Sequence, residues 1–464
     1  MKREELSKLA ATGCRWAALA TIVLAPTQWD FHLQGLHLSL IEPLVLFAGA
    51  CWLVKVMSQR EWWRMPWPLP WQVVAFVLPA LLSLYAVERE GAGDALREAV
   101  QLLEYFVIGY ILYDDLLRHQ PQRLRGVINL VLGVTALIVL LALGQFLLGS
   151  GDPVRGVVGT FKSRNVLAGW LAMTLPVLFG VALYATGPWV RAGLWLLLAC
   201  GLLVNLSAAS LGSVLGVMLL IAATRGWRTF AMAVLAVTLW VTVVTEHVGN
   251  FRDPDTGTRV TSQQVLFRST ALYTPDGQPE RRYPQWQSAV EMMLTHPWLG
   301  EGIGSYQRRV EQYTGTKPMP TGPSEPDIQN LYLVIGSTMG LPALLGFLAL
   351  LLVPAFQAGA AAPRHAGWRR GFVYGVSGGI AAFAITAIWH PLLVRGIGLH
   401  LVLLLVVAGL LAEWSKDRSS REGRDDEPAR RPDDAHGSGQ HRQHRRRWRS
   451  PEQPGRLSGN GGRR

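Results

Sequence analysis

The feature that most constrains this chain is its recurrence of apolar runs. Crossing a hydrocarbon core of about 30 Å takes roughly 20 residues of α-helix. Twelve segments of this kind lie at 10–26, 36–56, 69–86, 98–115, 127–149, 166–186, 191–205, 208–223, 229–247, 328–354, 371–391 and 396–413. Half of the residues are hydrophobic and only 16% are charged, a balance that excludes an ordinary soluble protein. We therefore predict an all-α, polytopic membrane protein with about twelve transmembrane helices.

The apolar stretch 191–223 is interpreted as two spans. A single helix of that length would measure roughly 50 Å, well beyond the hydrocarbon core. The polar residues Asn205, Ser207 and Ser210 mark the break. With twelve spans, every short loop on the side of the two termini is basic, as the positive-inside rule requires of the cytoplasmic side. This places both termini in the cytoplasm, and the first span is interpreted as an anchor, not a cleaved signal.

One long polar interval, residues 248–327, separates the ninth and tenth predicted spans. Loops of this length are usually functional or disordered. Because 286–293 and 306–313 have helix-like patterns, we predict a folded loop on the periplasmic side, set within a transmembrane domain that covers residues 1–413.

The last segment, 414–464, is dominated by charged residues, Pro, Gly and Ser. Such a composition does not bury enough apolar surface to fold, so it predicts a disordered, basic cytoplasmic tail. Contact with anionic lipids is one role for it, and we expect no nucleic-acid binding. Cys14, Cys51 and Cys200 all fall in apolar runs and indicate packing, not disulfides.

Several cations lie on the side where the positive-inside rule disfavours them. Arg155, Lys162 and Arg164 follow the fifth span, and Arg281 and Arg282 lie in the long loop. Guanidinium groups match phosphate oxygens, so these side chains are candidates for binding an anionic ligand. Contact with lipid headgroups, or pairing with neighbouring carboxylates, is the structural alternative.

The entry to the tenth span offers the candidate catalytic groups. Asp327 is expected to cap this helix, with Gln329 and Asn330 in its first turn. A helix N-terminus also favours phosphate. His390, at the outer end of the eleventh span, is a further candidate for lining the same cavity, although a structural role remains open for it. No cluster of metal ligands is present in the sequence, and no cofactor is expected.

Four local patterns resemble the superfamily of O-antigen ligases and O-antigen polymerases, which are bacterial inner-membrane glycosyltransferases of the GT-C type. They are Gly159-Thr-Phe-Lys-Ser-Arg-Asn-Val-Leu-Ala168 followed by Thr174-Leu-Pro176; Leu206-Ser-Ala-Ala-Ser-Leu-Gly-Ser213; Arg282-Tyr-Pro-Gln-Trp-Gln-Ser-Ala289 with Thr295-His-Pro-Trp-Leu-Gly-Glu-Gly-Ile-Gly304; and Gln329-Asn-Leu-Tyr-Leu-Val-Ile-Gly-Ser-Thr-Met-Gly340. Their order and the position of the long loop also match.

The resemblance implies a reaction and its partners. A glycan carried on undecaprenyl diphosphate would pass to an acceptor hydroxyl at the periplasmic face, without a metal. The acceptor would be a lipid A core sugar for a ligase, or a second lipid-linked repeat unit for a polymerase. Other proteins of polysaccharide assembly are possible partners. Cations would stabilise the departing diphosphate, and a general base would take the acceptor proton.

Two positions depart from the family pattern. The arginine of its Ser-Arg-Gly segment falls on Leu211, and its proposed catalytic histidine falls on Gln329. Gln329 cannot act as a base at neutral pH, but it could orient an acceptor hydroxyl, and Asp327 or Glu325 could take over as base. A branch that acts on another secreted polysaccharide is an alternative, and so is a catalytically silent scaffold in a polysaccharide-assembly complex. A twelve-span transporter is another, but the long loop is not central and no repeat relates the two halves.

Overall fold

The computed structural model describes residues 3–27, 30–33, 36–39, 41–59, 69–117, 121–148, 157–247, 251–252, 259–262, 282–314 and 328–425. The chain divides into two compact units, Met1–Arg418 and Ser419–Arg464. The architecture below belongs to the first unit. Of the second, the described part is the end of the last helix.

The fold is predominantly helical, as predicted. The helices are α1 (Arg3–Leu24), α2 (Ile41–Gln59), α3 (Pro70–Leu82), α4 (Ala92–Ile111), α5 (Pro121–Leu147), α6 (Arg164–Tyr184), α7 (Pro188–Val204), α8 (Ala208–Ala223), α9 (Trp227–Leu239), α10 (Arg282–Thr295), α11 (Tyr306–Thr314), α12 (Leu331–Ala361), α13 (Gly367–Thr386) and α14 (Arg395–Asp425). Shorter 3-10 turns lie at Ala25–Thr27, Ser83–Ala86, Arg89–Gly91 and Ala362–Arg364, and π-helical turns at Leu112–Leu117 and Trp240–Val244, the latter leading into Thr245–His247.

Two small antiparallel hairpins accompany the helices. Strand β1 (Asp30–Leu33) pairs with β2 (Leu36–Ser39), and β3 (Phe251–Arg252) pairs with β4 (Arg259–Val260). The prediction that a helical span begins at residue 36 was therefore wrong, since residues 36–39 form a strand and α2 begins at Ile41. Alternation of leucine with the polar residues His37 and Ser39 has the period of a strand, which the surrounding apolar run obscures.

Each of the twelve predicted spans overlaps a helix, but they differ in length and hydropathy. Within the described ranges, seven helices are long and apolar enough to cross a membrane: Glu4–Thr27, Ile41–Ser58, Arg123–Leu147, Arg164–Tyr184, Trp227–Val244, Leu331–Arg364 and Gly396–Ser415. The shorter apolar helices are Pro70–Ala86, Pro188–Val204 and Ala208–Ala223. The chain is thus a multi-pass membrane protein, and the number twelve stays a prediction. The expected break between spans seven and eight is present, because α7 ends at Val204 and α8 begins at Ala208.

Helices α6 and α13 form the centre of the bundle. In α6, 94% of the most apolar window is buried within the protein, whereas the corresponding value for α9 is 0%. The two central backbones approach through glycines: a Cβ at Gly371 would overlap the carbonyl oxygen of Gly180, and one at Gly379 would overlap that of Met173. Small residues permit such close approach between helices in membranes.

These contacts fix the direction of the central helices. Because Gly371 meets Gly180 and Gly379 meets Met173, α13 runs antiparallel to α6. Helix α8 is also antiparallel to α13, since Ser213 contacts Thr386 and Val217 lies against Gly378. The starts of α6, α8 and α12 therefore lie at the same end of the bundle as the end of α13. This end, defined by Ser163, Ser207 and Asn330, is called the loop end below.

The folded part of the long loop packs at the loop end. Helices α10 and α11 confirm the two helices predicted from 286–293 and 306–313. They share a small core formed by Ala289, Met292, Tyr306, Val310 and Ile328. The connection between them packs on α12, where Glu301 N donates to Ser337 O at 2.9 Å. Residues 263–281 and 315–327 lie outside the described part.

The opposite end of the bundle carries contacts to α14. Arg364 donates to Ser415 Oγ at 2.7 Å, and the Tyr113 hydroxyl donates to Glu413 Oε2 at 3.0 Å. Helix α14 continues to Asp425, so residues 414–425 of the predicted tail are helical rather than disordered. The end of this helix was predicted too early from hydrophobic composition, because α14 extends beyond its apolar residues. The remainder of the tail, 426–464, is outside the described residues.

Candidate active site at the loop end

Helices α6, α8 and α12 all begin at the loop end, and their first residues differ in how they are capped. Ser163 caps α6 by accepting from Val166 N at 3.4 Å. Asn330 caps α12 by accepting from Leu333 N at 3.1 Å. Ser207 occupies the same position before α8 but makes no side-chain cap. Helix N-termini carry partial positive charge and unpaired amide donors, so their convergence favours an anionic ligand.

The expected cap of α12 at Asp327 was wrong. The helix begins at Leu331, so Gln329 and Asn330 precede the helix and do not lie in its first turn. Leu331 N donates to Ala387 O at 2.9 Å, and this contact with the end of α13 sets where α12 starts. Asp327 itself lies outside the described residues.

Ser207 contacts His390 instead of capping its helix. Ser207 Oγ lies 3.0 Å from His390 Nε2, and the tautomer of the imidazole decides which of them donates. Ser207 is 2% exposed and His390 is 3% exposed. The pair therefore joins the start of α8 to the segment between α13 and α14, in surroundings largely shielded from water.

A layer of buried polar side chains continues below this pair. Asn205 Nδ2 donates to Ser210 Oγ at 3.0 Å, and Ser210 Oγ donates to Ala168 O in α6 at 2.8 Å. Ser213 Oγ lies 2.8 Å from Thr386 Oγ1 in α13. These bonds tie α8 to both central helices. From the sequence, Asn205, Ser207 and Ser210 were predicted only to separate two spans. Polar residues inside an apolar run also indicate that polar partners lie opposite them.

Gln329 and Asn330 lie beside the same segment, because Leu331 bonds to Ala387. Gln329 Oε1 is buried and has no hydrogen-bond partner within the described ranges. Above them, the Trp286 ring of α10 contacts the Trp389 ring, with centroids 5.7 Å apart. The loop helix therefore covers the region where α12 begins and His390 lies.

The predicted cations are brought to the loop end where the structure describes them. Lys162 is exposed and Arg164 is half-buried, and both lie at the start of α6. Arg282 is the first residue of α10, one helical turn before Trp286, and its side chain is not among those described. Arg155 and Arg281 lie outside the described residues.

A charged network fixes the α10–α11 connection to the transmembrane helices. Glu301, 7% exposed, accepts from the Tyr313 hydroxyl and lies 2.8 Å from His296 Nδ1 and 3.4 Å from Arg309 Nε. Arg309 also pairs with Glu88 Oε1 at 2.6 Å, and Arg308 pairs with Asp94. Two arginines of the long loop, Arg308 and Arg309, thus pair with carboxylates.

The network changes the acidity of one of its members. Desolvation by burial, and secondly the hydrogen bond to Glu301, raise the pKa of Tyr313 to about 12. Both causes disfavour a second negative charge beside Glu301. Tyr313 therefore stays a hydrogen-bond donor across the physiological range. Sequence patterns did not single out this residue, since Glu301 and Tyr313 belong to different elements.

A family model described as O-antigen ligase matches residues 164–348 of this chain. Over this stretch the chain is similar to the O-antigen ligase family. The match runs from the first residue of α6, through the loop helices, into α12, and it confirms the resemblance seen in the sequence. No curated protein matches the chain.

Two parts of the loop end lie outside the stretch that matches the O-antigen ligase family. Lys162 precedes it, and His390 follows it. The structure describes both positions that depart from the family pattern. Leu211 is buried in α8, and Gln329 directly precedes the cap of α12. Among the described residues, no group of three or more His, Cys, Asp or Glu side chains converges as metal ligands would.

Proposed function

We propose that this protein transfers a glycan from undecaprenyl diphosphate to an acceptor hydroxyl at the periplasmic face of the bacterial inner membrane. Ligation to a lipid A core sugar and polymerisation onto a second lipid-linked repeat unit are both consistent with the O-antigen ligase family match. The proposed orientation places both termini in the cytoplasm and the loop end in the periplasm.

The observation that carries the proposal is the convergence of α6, α8 and α12. Their N-termini lie at one end of the bundle, with Lys162 and Arg164 at the first of them. A leaving diphosphate gains negative charge as its bond to the sugar breaks. Preorganised amide donors and cations stabilise that charge, and this electrostatic contribution is usually the largest in such reactions.

The reaction needs three kinds of group. Cations hold the diphosphate, for which we propose Arg155, Lys162, Arg164, Arg281 and Arg282. Polar side chains orient the acceptor by hydrogen bonding, a role that we assign to Gln329 and Asn330 beside the end of α13. A base accepts the hydroxyl proton as the oxygen bonds to the anomeric carbon. From the sequence, Asp327 is the candidate for this last role.

Turnover of a purified lipid-linked oligosaccharide by the reconstituted protein tests the proposal. Arg164→Ala and Arg282→Ala should each lower kcat by about 100-fold, since removal of one donor to a developing anion costs that much. Arg191→Ala is the matched control, because Arg191 is exposed at the start of α7, beside the end of α6. Full activity in both loop-end variants, with all proteins folded, would contradict the role given to these cations.

A catalytically silent scaffold is the second candidate, because Leu211 and Gln329 replace charged or basic residues of the family. The same assay separates the two functions. Release of undecaprenyl diphosphate by the wild type supports the enzyme. Binding of the lipid-linked glycan without any release, together with loss of surface polysaccharide on deletion, supports the scaffold.

A further inference from the structure

The proposed function leaves the proton acceptor unassigned within the described residues. Gln329 is an amide and takes no proton near neutral pH. Glu301 is already bonded to His296, Arg309 and Tyr313 within the folded part of the long loop. His390 is the buried imidazole at the loop end, and imidazole is the commonest general base in proteins.

The position of His390 is determined by contacts on both sides along the chain. Ala387 O accepts from Leu331 N at 2.9 Å, and the Trp389 ring contacts Trp286 at 5.7 Å between centroids. Leu392 lies against Gly169 of α6, where a Cβ would come within 2.9 Å of it. The imidazole is thus fixed among the starts of α6, α8 and α12, which is where the donor and acceptor meet in the proposed reaction.

Ser207 makes the contact that gives this imidazole a chemical role. The residue at this position normally uses its hydroxyl to cap its helix, but Ser207 Oγ lies 3.0 Å from His390 Nε2 and makes no cap. A hydroxyl held against an imidazole nitrogen is the arrangement by which histidine accepts a proton through serine.

We propose that Ser207 and His390 form the proton-accepting pair of the glycosyl transfer, an inference that rests on the proposed function. The acceptor hydroxyl gives its proton to Ser207 Oγ while the Ser207 proton passes to His390 Nε2. The acceptor oxygen forms the new bond to the anomeric carbon. The bond from that carbon to the diphosphate oxygen breaks, and its electron pair leaves with the diphosphate. The products are the transferred glycan, the diphosphate anion and an imidazolium, so atoms and charge balance.

The charged residues nearest the pair in the fold belong to several elements. Lys162 and Arg164 lie at the start of α6, Glu291 is exposed on α10, and α10 and α14 begin with Arg282 and Arg395, whose side chains are outside the described ones. Helices α8 and α12 contribute no charged side chain. The cations proposed to hold the diphosphate thus belong to elements that begin at the same end of the bundle as the pair, and the leaving anion offsets the charge that the imidazolium gains.

Single-turnover rates across pH, with the lipid-linked donor and a saturating acceptor, test the pair. The wild-type rate should fall at low pH as the imidazole becomes protonated, and this fall is the acid limb of the pH profile. His390→Gln keeps a hydrogen-bonding group beside Ser207 but takes no proton, so it should lower the rate by at least 100-fold and remove the acid limb. Ser207→Ala should also lower the rate, with affinity for the donor within about twofold of wild type. Imidazole in the buffer should restore part of the activity of His390→Ala.

His400→Gln is the matched control for loss of a buried histidine. His400 is also 3% exposed, but it stacks on Trp170 at 4.1 Å between centroids, deeper in the bundle. This variant should keep the acid limb. If His390→Gln does not fold, as judged by thermal unfolding, Ser207→Ala carries the test because it leaves the imidazole in place.

Three results would overturn the inference. The first is a His390→Gln enzyme with wild-type rates and an unchanged acid limb. The second is a rate loss without change in the limb and without imidazole rescue, which is what a structural role predicts. The third is removal of the limb by Asp327→Asn alone. An inactive wild type would overturn the proposed function as well, whereas the first three results leave that function standing.

Discussion

At the scale of single residues, Asn330 combines an observed structural role with a proposed chemical one. Its side chain caps α12, and it is 7% exposed beside Gln329. Asn330→Ala should lower stability by about 1 kcal/mol, because the amide of Leu333 loses its acceptor. Thermal unfolding in detergent measures this loss.

Asn330→Asp is the control that separates the two roles. A carboxylate caps a helix as well as an amide does, so stability should be kept. Activity should fall, since the carboxylate cannot donate to substrate and repels a diphosphate. An active Asn330→Asp enzyme would limit Asn330 to its capping role.

Tyr313 gives a pH dependence with a definite sign. Its pKa is raised from 10.0 to about 12, so folding favours the protonated phenol. The stability it contributes is fully present below pH 10 and is lost as the pH rises through about 12. The difference in tyrosinate absorbance between wild type and Tyr313→Phe should show this late titration. Tyr85→Phe, at an exposed tyrosine, is the control, and a Tyr313 that titrates near 10 would contradict the contact with Glu301.

How much of the site the sequence predicts depends on where the partners lie along the chain. Lys162 and Arg164 could be identified because a charge rule acts on local sequence. The cap of α12 could not be chosen between Asp327 and Asn330, since both residue types cap helices and the bond from Leu331 to Ala387 decides. Ser207 and His390 are 183 positions apart, and no local pattern connects them.

At the scale of elements, α12 is interrupted where the loop crosses it. Gly340 has φ 83° and ψ 171° inside the helix, and Leu341 N donates to Pro297 O at 2.8 Å instead of to its own helix. A Cβ at Gly340 would overlap the carbonyl oxygen of Trp298. The break thus provides the surface on which the α10–α11 connection packs.

Gly340→Ala should separate that connection from α12. The positive φ alone costs about 1–3 kcal/mol for a residue with a side chain, and the overlap with Trp298 adds to it. Gly367→Ala has the same kind of strain, with φ +57°, but open space around the new methyl group. Thermal unfolding and limited proteolysis near residues 297–305 should show a larger effect at Gly340. Equal effects at both glycines would mean that the packing against Trp298 contributes nothing.

One uninterrupted span was predicted here from the sequence. Apolar composition indicates only whether a segment lies in the membrane, and Gly340 does not interrupt the apolar composition of this one. Pro342 was the local signal, because it cannot donate to a carbonyl of the preceding turn. The combination of Gly340 and Pro342 permits a break, but only the packing of Trp298 shows that it occurs.

At the scale of the whole molecule, apolar periodicity locates helices but not their neighbours. Helices that face lipid and helices that face protein are both apolar in a membrane, so α6 and α9 look alike in composition although one is buried and the other is not. The spacing of Gly371, Gly375 and Gly379 was a usable signal, because small residues four apart mark close helix packing.

The boundary between the two units predicts where the chain can be shortened. Truncation after Arg418 follows that boundary and keeps the contacts of Glu413 and Ser415 with Tyr113 and Arg364. It should leave thermal stability and activity near wild type. Truncation after Ala412 removes both contacts and should lower the midpoint of thermal unfolding. A loss of activity in the longer form, with normal membrane insertion, would assign the basic tail a direct role.

The glycine contact between α6 and α13 has a consequence for how substrates enter. At Gly180 and Gly371 the two backbones are in direct contact. No flexible side chain lies between the helices there, so neither can easily slide or tilt past the other. The start of α6, which we propose binds the diphosphate, and the His390 segment beyond α13 are therefore held at a constant separation. In the proposed reaction, entry of a bulky glycan would then require movement of α10 and α11, which pack on the bundle through ion pairs, the Trp286–Trp389 contact and backbone hydrogen bonds with Ser337 and Leu341. The lipid carrier would thus contact fixed helix ends beneath loop helices that can move.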